Sequence, residues 1–166
     1  MSEKRFYNFD RIDLTGPLFN NLEKCRGVLQ NPIHHPEGDV FNHSIQTFYR
    51  AKKETSDIDL LVSALLHDVG KLIDPYGHDK IALEMLDGFI SPKTAWLIKN
   101  HMRFWDFILG GMKRQKKVFD LIENEWFVDL SMLCRFDKMG RTANYFPKYD
   151  RIEIIEFLKC MNQKQS

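Results

Sequence analysis

The chain has 166 residues, enough for one domain with a sizeable core, and its 43% apolar and 28% charged residues are ordinary for a soluble globular protein. A net charge of +1 gives no general reason to expect nucleic acid as a partner, which leaves only local patches to supply one. No apolar run approaches the roughly 18–20 residues that span a bilayer, and the charged opening MSEKRFYNFDRIDL lacks the apolar core of a secretory signal, so a cytoplasmic location without membrane association is expected.

Helical spacing recurs along the chain, while period-two alternation is scarce. LTGPLFNNLEKCRGVLQ places Leu18, Leu22, Cys25 and Leu29 at helical intervals, with Thr15 as a cap and Pro17 near the start. This predicts an N-terminal helix over 15–29. NPIHHPEGD, with two prolines and a glycine, reads as a loop. VFNHSIQTFYRAKK then carries Phe41, Ile45, Phe48 and Tyr49 on one side of a second helix. SDIDLLVSALLHDVGKL follows, with Ser56 or Asp57 as its cap and Gly70 near its end. GHDKIALEMLDGFI is a shorter helix, and SPKTAWLIKNHMRF opens on Ser91 and Pro92, a cap and a first-turn proline. KKVFDLIEN, EWFVDLSMLCRFDKM and DRIEIIEFLKCM complete the set, the last predicting a C-terminal helix over 150–162. The expectation is an all-α, single-domain bundle of seven or eight helices spanning residues 1–166, with no linker long enough to divide it. Cys25, Cys134 and Cys160 are odd in number and form no CxxC, which argues against a disulfide framework or a thiolate zinc site.

The central helix has a wide apolar face from Ile58, Leu61, Val62, Leu65, Leu66 and Val69. Leu60 and Ala64 make the opposite side apolar too, so the helix is expected to be surrounded by others. His67, Asp68 and Lys71 then project into an enclosed place, where unpartnered charge costs several kcal/mol. Imidazole beside carboxylate suits a first-row divalent metal such as Mn²⁺, Fe²⁺, Ni²⁺ or Zn²⁺ better than Mg²⁺. The dipeptide alone favours a buried pair that only holds helices together. The chain has six histidines, and three others, His43, His78 and His101, sit in helical contexts around it. Asp137 lies near the end of a late apolar helix, where a solvent-facing aspartate is the simplest reading of it alone.

Taken together, His43, the His67-Asp68 pair and Asp137 resemble the pattern of the HD-domain phosphohydrolase superfamily. LLHDVGK is similar to its central motif, with Gly70 and Lys71 in place. The resemblance covers roughly residues 30–142. HHPEGDVFNHSIQTF, GHDKIALEML, IKNHMRFWDF, KVFDLIE and CRFDKMGR resemble, in order, the HD domain of bacterial CCA-adding tRNA nucleotidyltransferases. Those enzymes also carry a nucleotidyltransferase domain, for which this chain has no room. Its DID at Asp57–Asp59 lacks a Gly-Ser turn and reads as a helix start, where acidic groups suit the dipole. Nucleotide addition is therefore not expected.

The resemblance implies that His43, His67, Asp68 and Asp137 hold one divalent ion. It also implies that His78 and His101 match the positions that hold a second, bridged by Asp68, with Mn, Fe, Ni, Co, Zn or Mg as candidates. Lys71 suits a phosphate oxygen as a point charge, and Arg141 could contact phosphate or be a surface arginine. Glu37 and Asp39 are candidates for the site mouth or proton transfer, and His34 and His35 for the leaving group. Lys113, Arg114, Lys116 and Lys117 form a basic run that reads as a solvated loop or as an RNA contact, with Trp105 or Phe107 stacking on a base. The implied function is hydrolysis of nucleotides or RNA ends, as a 2′,3′-cyclic phosphodiesterase or phosphomonoesterase. Two alternatives stand beside it: a hydrolase of deoxynucleoside triphosphates, dinucleoside polyphosphates or a signalling nucleotide, and a metal-stabilised nucleotide- or RNA-binding regulatory module. Oligomeric state is not legible, although Phe146 and Tyr149 are candidates for a contact.

Overall fold

The computed structural model of the chain describes Tyr7, Phe9 and residues 16–165. Among these residues eight α-helices form, and the sole β pairing is an isolated bridge between Leu29 and Asp39. The helices are α1 (Pro17–Lys24), α2 (Val40–Glu54), α3 (Ile58–Leu66), α4 (His78–Met85), α5 (Pro92–Ile108), α6 (Gln115–Ile122), α7 (Phe127–Met139) and α8 (Arg151–Lys164). The all-α expectation holds. No helix among the described residues is long and apolar enough to cross a membrane.

Helix α3 is the axis of the fold. Every residue in it except Asp59 is buried, and α2, α5 and α7 pack around it, with α1 and α8 closing one side. Its two-sided apolar pattern predicts this enclosure. Asp57, not Ser56, caps it by accepting from the Leu60 N–H at 3.0 Å. Asp39, Ser91 and Asp150 cap α2, α5 and α8 in the same way, each cap contributing about 1 kcal/mol.

Four details depart from the sequence reading. Helix α1 ends at Lys24 rather than running to residue 29. Gly27 takes a left-handed conformation (φ +78°), and its N–H donates to Asp39 Oδ2 at 2.8 Å. Leu29 is thereby turned out of the apolar face and is 81% exposed. The cap proposed at Thr15 lies outside the described residues. Helix α3 ends at Leu66, not near Gly70, and a 3₁₀ turn, Val69–Leu72, follows it. Tyr149 is half-buried rather than exposed: its ring packs edge-on against Phe41 and its hydroxyl donates to Glu23.

The break after α3 has a packing cause. A Cβ on Gly70 would collide with the His78 carbonyl and lie 2.9 Å from the Ala82 nitrogen. The glycine lets α4 lie directly against the 3₁₀ turn, and that approach carries His78 toward Asp68.

Candidate metal centre

Four helices and the break after α3 bring the polar cluster together. His43 comes from the first turns of α2, His67 and Asp68 from the break after α3, His78 from the start of α4, His101 from mid-α5 and Asp137 from the end of α7. All six are buried. Asp68 lies at the centre with its two oxygens turned to different partners. Oδ2 lies 3.5 Å from His67 Nε2 and 3.7 Å from His43 Nε2. Oδ1 lies 3.1 Å from His78 Nε2 and 3.5 Å from His101 Nε2. Asp137 Oδ1 completes the first group, 3.0 Å from His43 Nε2 and 3.9 Å from His67 Nε2.

The opposite nitrogens of the four imidazoles explain how they are held. Nδ1 of His67, His78 and His101 faces the backbone carbonyls of Ala64, Pro75 and Ile98. Nδ1 of His43 faces the Gly140 carbonyl at 3.0 Å and Glu37 Oε1 at 2.7 Å. With each Nδ1–H donating outward, every Nε2 lone pair converges on the centre. The facing pairs His43–His67 and His78–His101 are 3.3 and 3.1 Å apart. Two such lone pairs at contact are satisfied only by a proton or a cation, and these separations suit nitrogens each about 2.0–2.1 Å from one ion. Two donor sets, His43-His67-Asp68 and Asp68-His78-His101, have ligand atoms within 4.8 Å of one another. The residues therefore fit a pair of divalent ions that share Asp68. His35, Glu37 and His43 also lie that close, but there both Nδ1 atoms face one oxygen of Glu37, which reads as a hydrogen-bonded support.

Charge in the cluster is arranged for a cation. Burial pushes the Asp68 carboxyl up, but the Lys71 charge and the hydrogen bonds from His101 and His78 outweigh it and hold the group well below the usual range. Asp137 behaves likewise: burial raises it, and the hydrogen bond and charge of His43 bring it well below the usual range. Burial pushes His67 down to about 4, so it is neutral. His43 is opposed by burial yet held up at about 9 by Asp137 and Glu37. Ionised carboxylates and neutral imidazole are the forms that bind a metal; His43, and His78, which burial lowers but the Asp68 hydrogen bond raises on balance, are the rings held toward the protonated form.

Beside the centre lies a cavity of about 490 Å³. Its lining includes the polar residues Lys71, Arg141, His34, His35 and Lys138 and the largely apolar residues Trp105, Met102, Leu109 and Pro75. Lys71 Nζ donates to Asp68 Oδ2 at 2.7 Å and to Gln30 Oε1 at 2.8 Å. It does so from the 3₁₀ turn, not from the continuous helix that sequence spacing suggests. Arg141 Nη2 donates to Asp137 Oδ1 at 3.1 Å, so it belongs to the site rather than to the open surface.

Glu37 departs from its expected place. It is buried rather than at the mouth, where it accepts from His35 at 2.9 Å as well as from His43. Asp39 is spent on capping α2. The basic run does not join the histidine–aspartate cluster: Lys113, Arg114 and Lys117 line a separate pocket with Arg103 and Asp106. Phe107 packs on Phe104 and Phe127 and offers no ring to a ligand there.

Sequence reasoning missed Gly140. A Cβ there would collide with the Thr47 hydroxyl and lie 2.9 Å from the Thr47 nitrogen. The glycine lets its own carbonyl reach His43. The loop beyond it is clipped to α2, because Asn42 and Gln46 side chains donate to the Tyr145 carbonyl. A glycine after Asp137 is the only trace of this in the sequence.

This fold and donor set define a class, and the comparison with known families agrees. The chain belongs to the HD domain family, whose profile matches residues 40–125, and so to a superfamily of metal-dependent phosphohydrolases. Among curated relatives, the Multifunctional CCA protein of Methylococcus capsulatus is 35% identical over 77 residues, covering 42% of this chain and 18% of that protein. The A-adding tRNA nucleotidyltransferase of Deinococcus radiodurans is 33% identical over 113 residues, covering 55% of this chain and 25% of that protein. The Multifunctional CCA protein of Halorhodospira halophila is 41% identical over 58 residues, covering 35% and 14%. The likeness thus spans a quarter or less of each of these relatives.

Proposed function

We propose that the chain is a phosphohydrolase acting on nucleotides or RNA ends, of the 2′,3′-cyclic phosphodiesterase or phosphomonoesterase type. The observation that carries this reading is Asp68, whose two carboxylate oxygens face separate histidine pairs at the floor of a cavity. That is the donor arrangement of a two-ion phosphoryl site. The partial likeness to tRNA-processing relatives favours nucleotide and RNA-end substrates over other phosphates.

His43, His67, Asp68 and Asp137 would hold one divalent ion, and Asp68, His78 and His101 the other. The ions, when bound, supply hydroxide near neutral pH and stabilise the attacking and leaving oxygens. Lys71 and Arg141 bind the non-bridging oxygens of the phosphate from the cavity lining. Glu37 holds His43 and His35 by one oxygen, which fixes both rings. His35 spends Nδ1 on Glu37, so Nε2 is the ring nitrogen it presents to a leaving oxygen; when doubly protonated, the ring gives its Nε2 proton to that oxygen and is left as neutral imidazole. His34 lines the same cavity and contacts the sugar side of the substrate.

The test is a panel assay of purified protein with Mn²⁺, Ni²⁺, Co²⁺, Zn²⁺ and Mg²⁺. The substrates are 2′,3′-cyclic mononucleotides, nucleoside monophosphates and nucleoside triphosphates. Turnover of the cyclic phosphates or monoesters, lost in Asp68→Ala, is expected. Turnover of triphosphates alone moves the assignment to a nucleotide hydrolase of another kind. Tight nucleotide binding without turnover under any metal makes the chain a binding module.

A further inference from the structure

The cavity beside the metal centre has apolar lining residues that phosphate chemistry does not need. Met102 and Leu109 among them are 43% and 81% exposed, and Pro75 belongs to the same lining. Between Met102 and Leu109 stands Trp105, four residues after His101, so α5 carries it on the same side as that proposed ligand. The Trp105 Nε1–H already donates to Asp137 Oδ2 at 3.3 Å. Its polar edge is therefore committed, and what it can offer a ligand is the face of the ring. Apart from histidines, it is the aromatic residue of the lining. The same lining carries the cations Lys71, Arg141 and Lys138, and Arg141 meets Trp105 at the Asp137 carboxylate, each donating to one of its oxygens. A ligand that uses both the cations and the ring has an anionic part and a flat, weakly polar part. A cavity of about 490 Å³ is of the size that encloses one small molecule.

We propose that Trp105 is the platform on which this cavity holds a nucleobase, and that it sets specificity for a single nucleotide unit, free or at the end of a strand. The proposal rests on the phosphate of that unit lying at the metal centre. The indole is tied to Asp137, so the base is held at a fixed distance from the reacting phosphorus. A phosphate ester without a base engages the cations of the lining and leaves the Trp105 ring unused. Stacking of a base on an aromatic residue contributes roughly 10-fold or more to affinity.

Binding, not turnover, tests this separately from the activity. Protein loaded with Zn²⁺ is mixed in a stopped-flow fluorimeter with adenosine 2′-, 3′- or 5′-monophosphate, and quenching is read before any turnover accumulates. Trp96 and Trp126 pack against each other with ring centroids 5.9 Å apart and do not line the cavity. The nucleotide-dependent signal is therefore assigned to Trp105 by its loss in Trp105→Phe. Ribose 5-phosphate and glycerol 2-phosphate are measured by competition. The best adenosine phosphate is expected to bind about 10-fold or more tighter than the base-free esters. Trp105→Ala should bring the two within twofold of each other, whereas Trp105→Phe, measured by calorimetry, should keep most of the difference. A trinucleotide ending in the same phosphate distinguishes the sources: equal affinity identifies a free nucleotide, and much tighter binding identifies a strand end. Equal binding of nucleotide and base-free ester to the wild type overturns the proposal, as does an equal loss for both in Trp105→Ala. Absence of hydrolysis with the base preference intact defeats the proposed activity and leaves the platform standing.

Discussion

His78 Nε2 and His101 Nε2 lie 3.1 Å apart, each ring turned so that Nδ1 faces a backbone carbonyl. Neither ring can satisfy the other without a proton or an ion between them, and Asp68 Oδ1 faces both. Removing one ring should therefore empty one of two metal positions. Native mass spectrometry of His101→Ala is expected to show the bound metal falling from two equivalents to one. An unchanged count would mean that these rings are only a structural contact.

Glu37 supports two histidines with one oxygen, while its Oε2 is buried without a hydrogen-bond partner. Burial pushes its carboxyl up, but the hydrogen bonds from His35 and His43 bring it down to about 2. It is thus ionised at neutral pH and strengthens His43 as a ligand. Glu37→Gln keeps the shape and loses the charge. Loss of such a partner typically lowers metal affinity about 10–100-fold, and a competition titration with a chelator should show a drop of that order. Affinity unchanged within twofold would reduce Glu37 to a loop-packing role.

Gly70 is where α4 meets the turn after α3. Gly70→Ala must push the His78 carbonyl away, so it should cost about 1–3 kcal/mol of stability and weaken the His78-His101 position more than the His43-His67 one. Urea denaturation of metal-free protein and metal counting on the folded variant check the two halves. A variant of wild-type stability that holds two ions would show that the backbone yields there.

Much of this was legible in the sequence. The two-sided apolar pattern of Ile58–Leu66 predicts burial, and a small number of histidines at helical positions around an HD pair points to His43, His78, His101 and Asp137. What was not legible depends on contacts between distant segments. The end of α3 at Leu66 follows from the approach of α4 to Gly70, which a helix template cannot contain. Leu29 fits the α1 pattern and is nevertheless exposed, because Gly27 and Asp39 turn the chain first. Glu37 reads as a loop carboxylate until His43 is seen in front of it. The role of Trp105 depends on Asp137, which is 32 residues away.

Metal uptake should release a proton. Burial pushes His43 down, and its bonds to Asp137 and Glu37 more than reverse this, to about 9. In the metal-free fold this raised value stabilises the protein fully below about pH 6.5, the ordinary value for imidazole, and the contribution is lost as pH rises through about 9. An ion must displace that proton, so affinity should rise with pH until about 9 and then level off. Calorimetry near pH 7 in buffers of different ionisation enthalpy should show about one proton released with the first ion. Affinity independent of pH over that window would place the proton elsewhere.

The central claim is a two-ion centre that shares Asp68. Anomalous diffraction from crystals of the Mn²⁺-loaded protein tests it most directly. Two peaks about 3.5–4 Å apart, one against His43, His67 and Asp137 and one against His78 and His101, with Asp68 between them, are predicted. A single peak, or peaks away from Asp68, would contradict it.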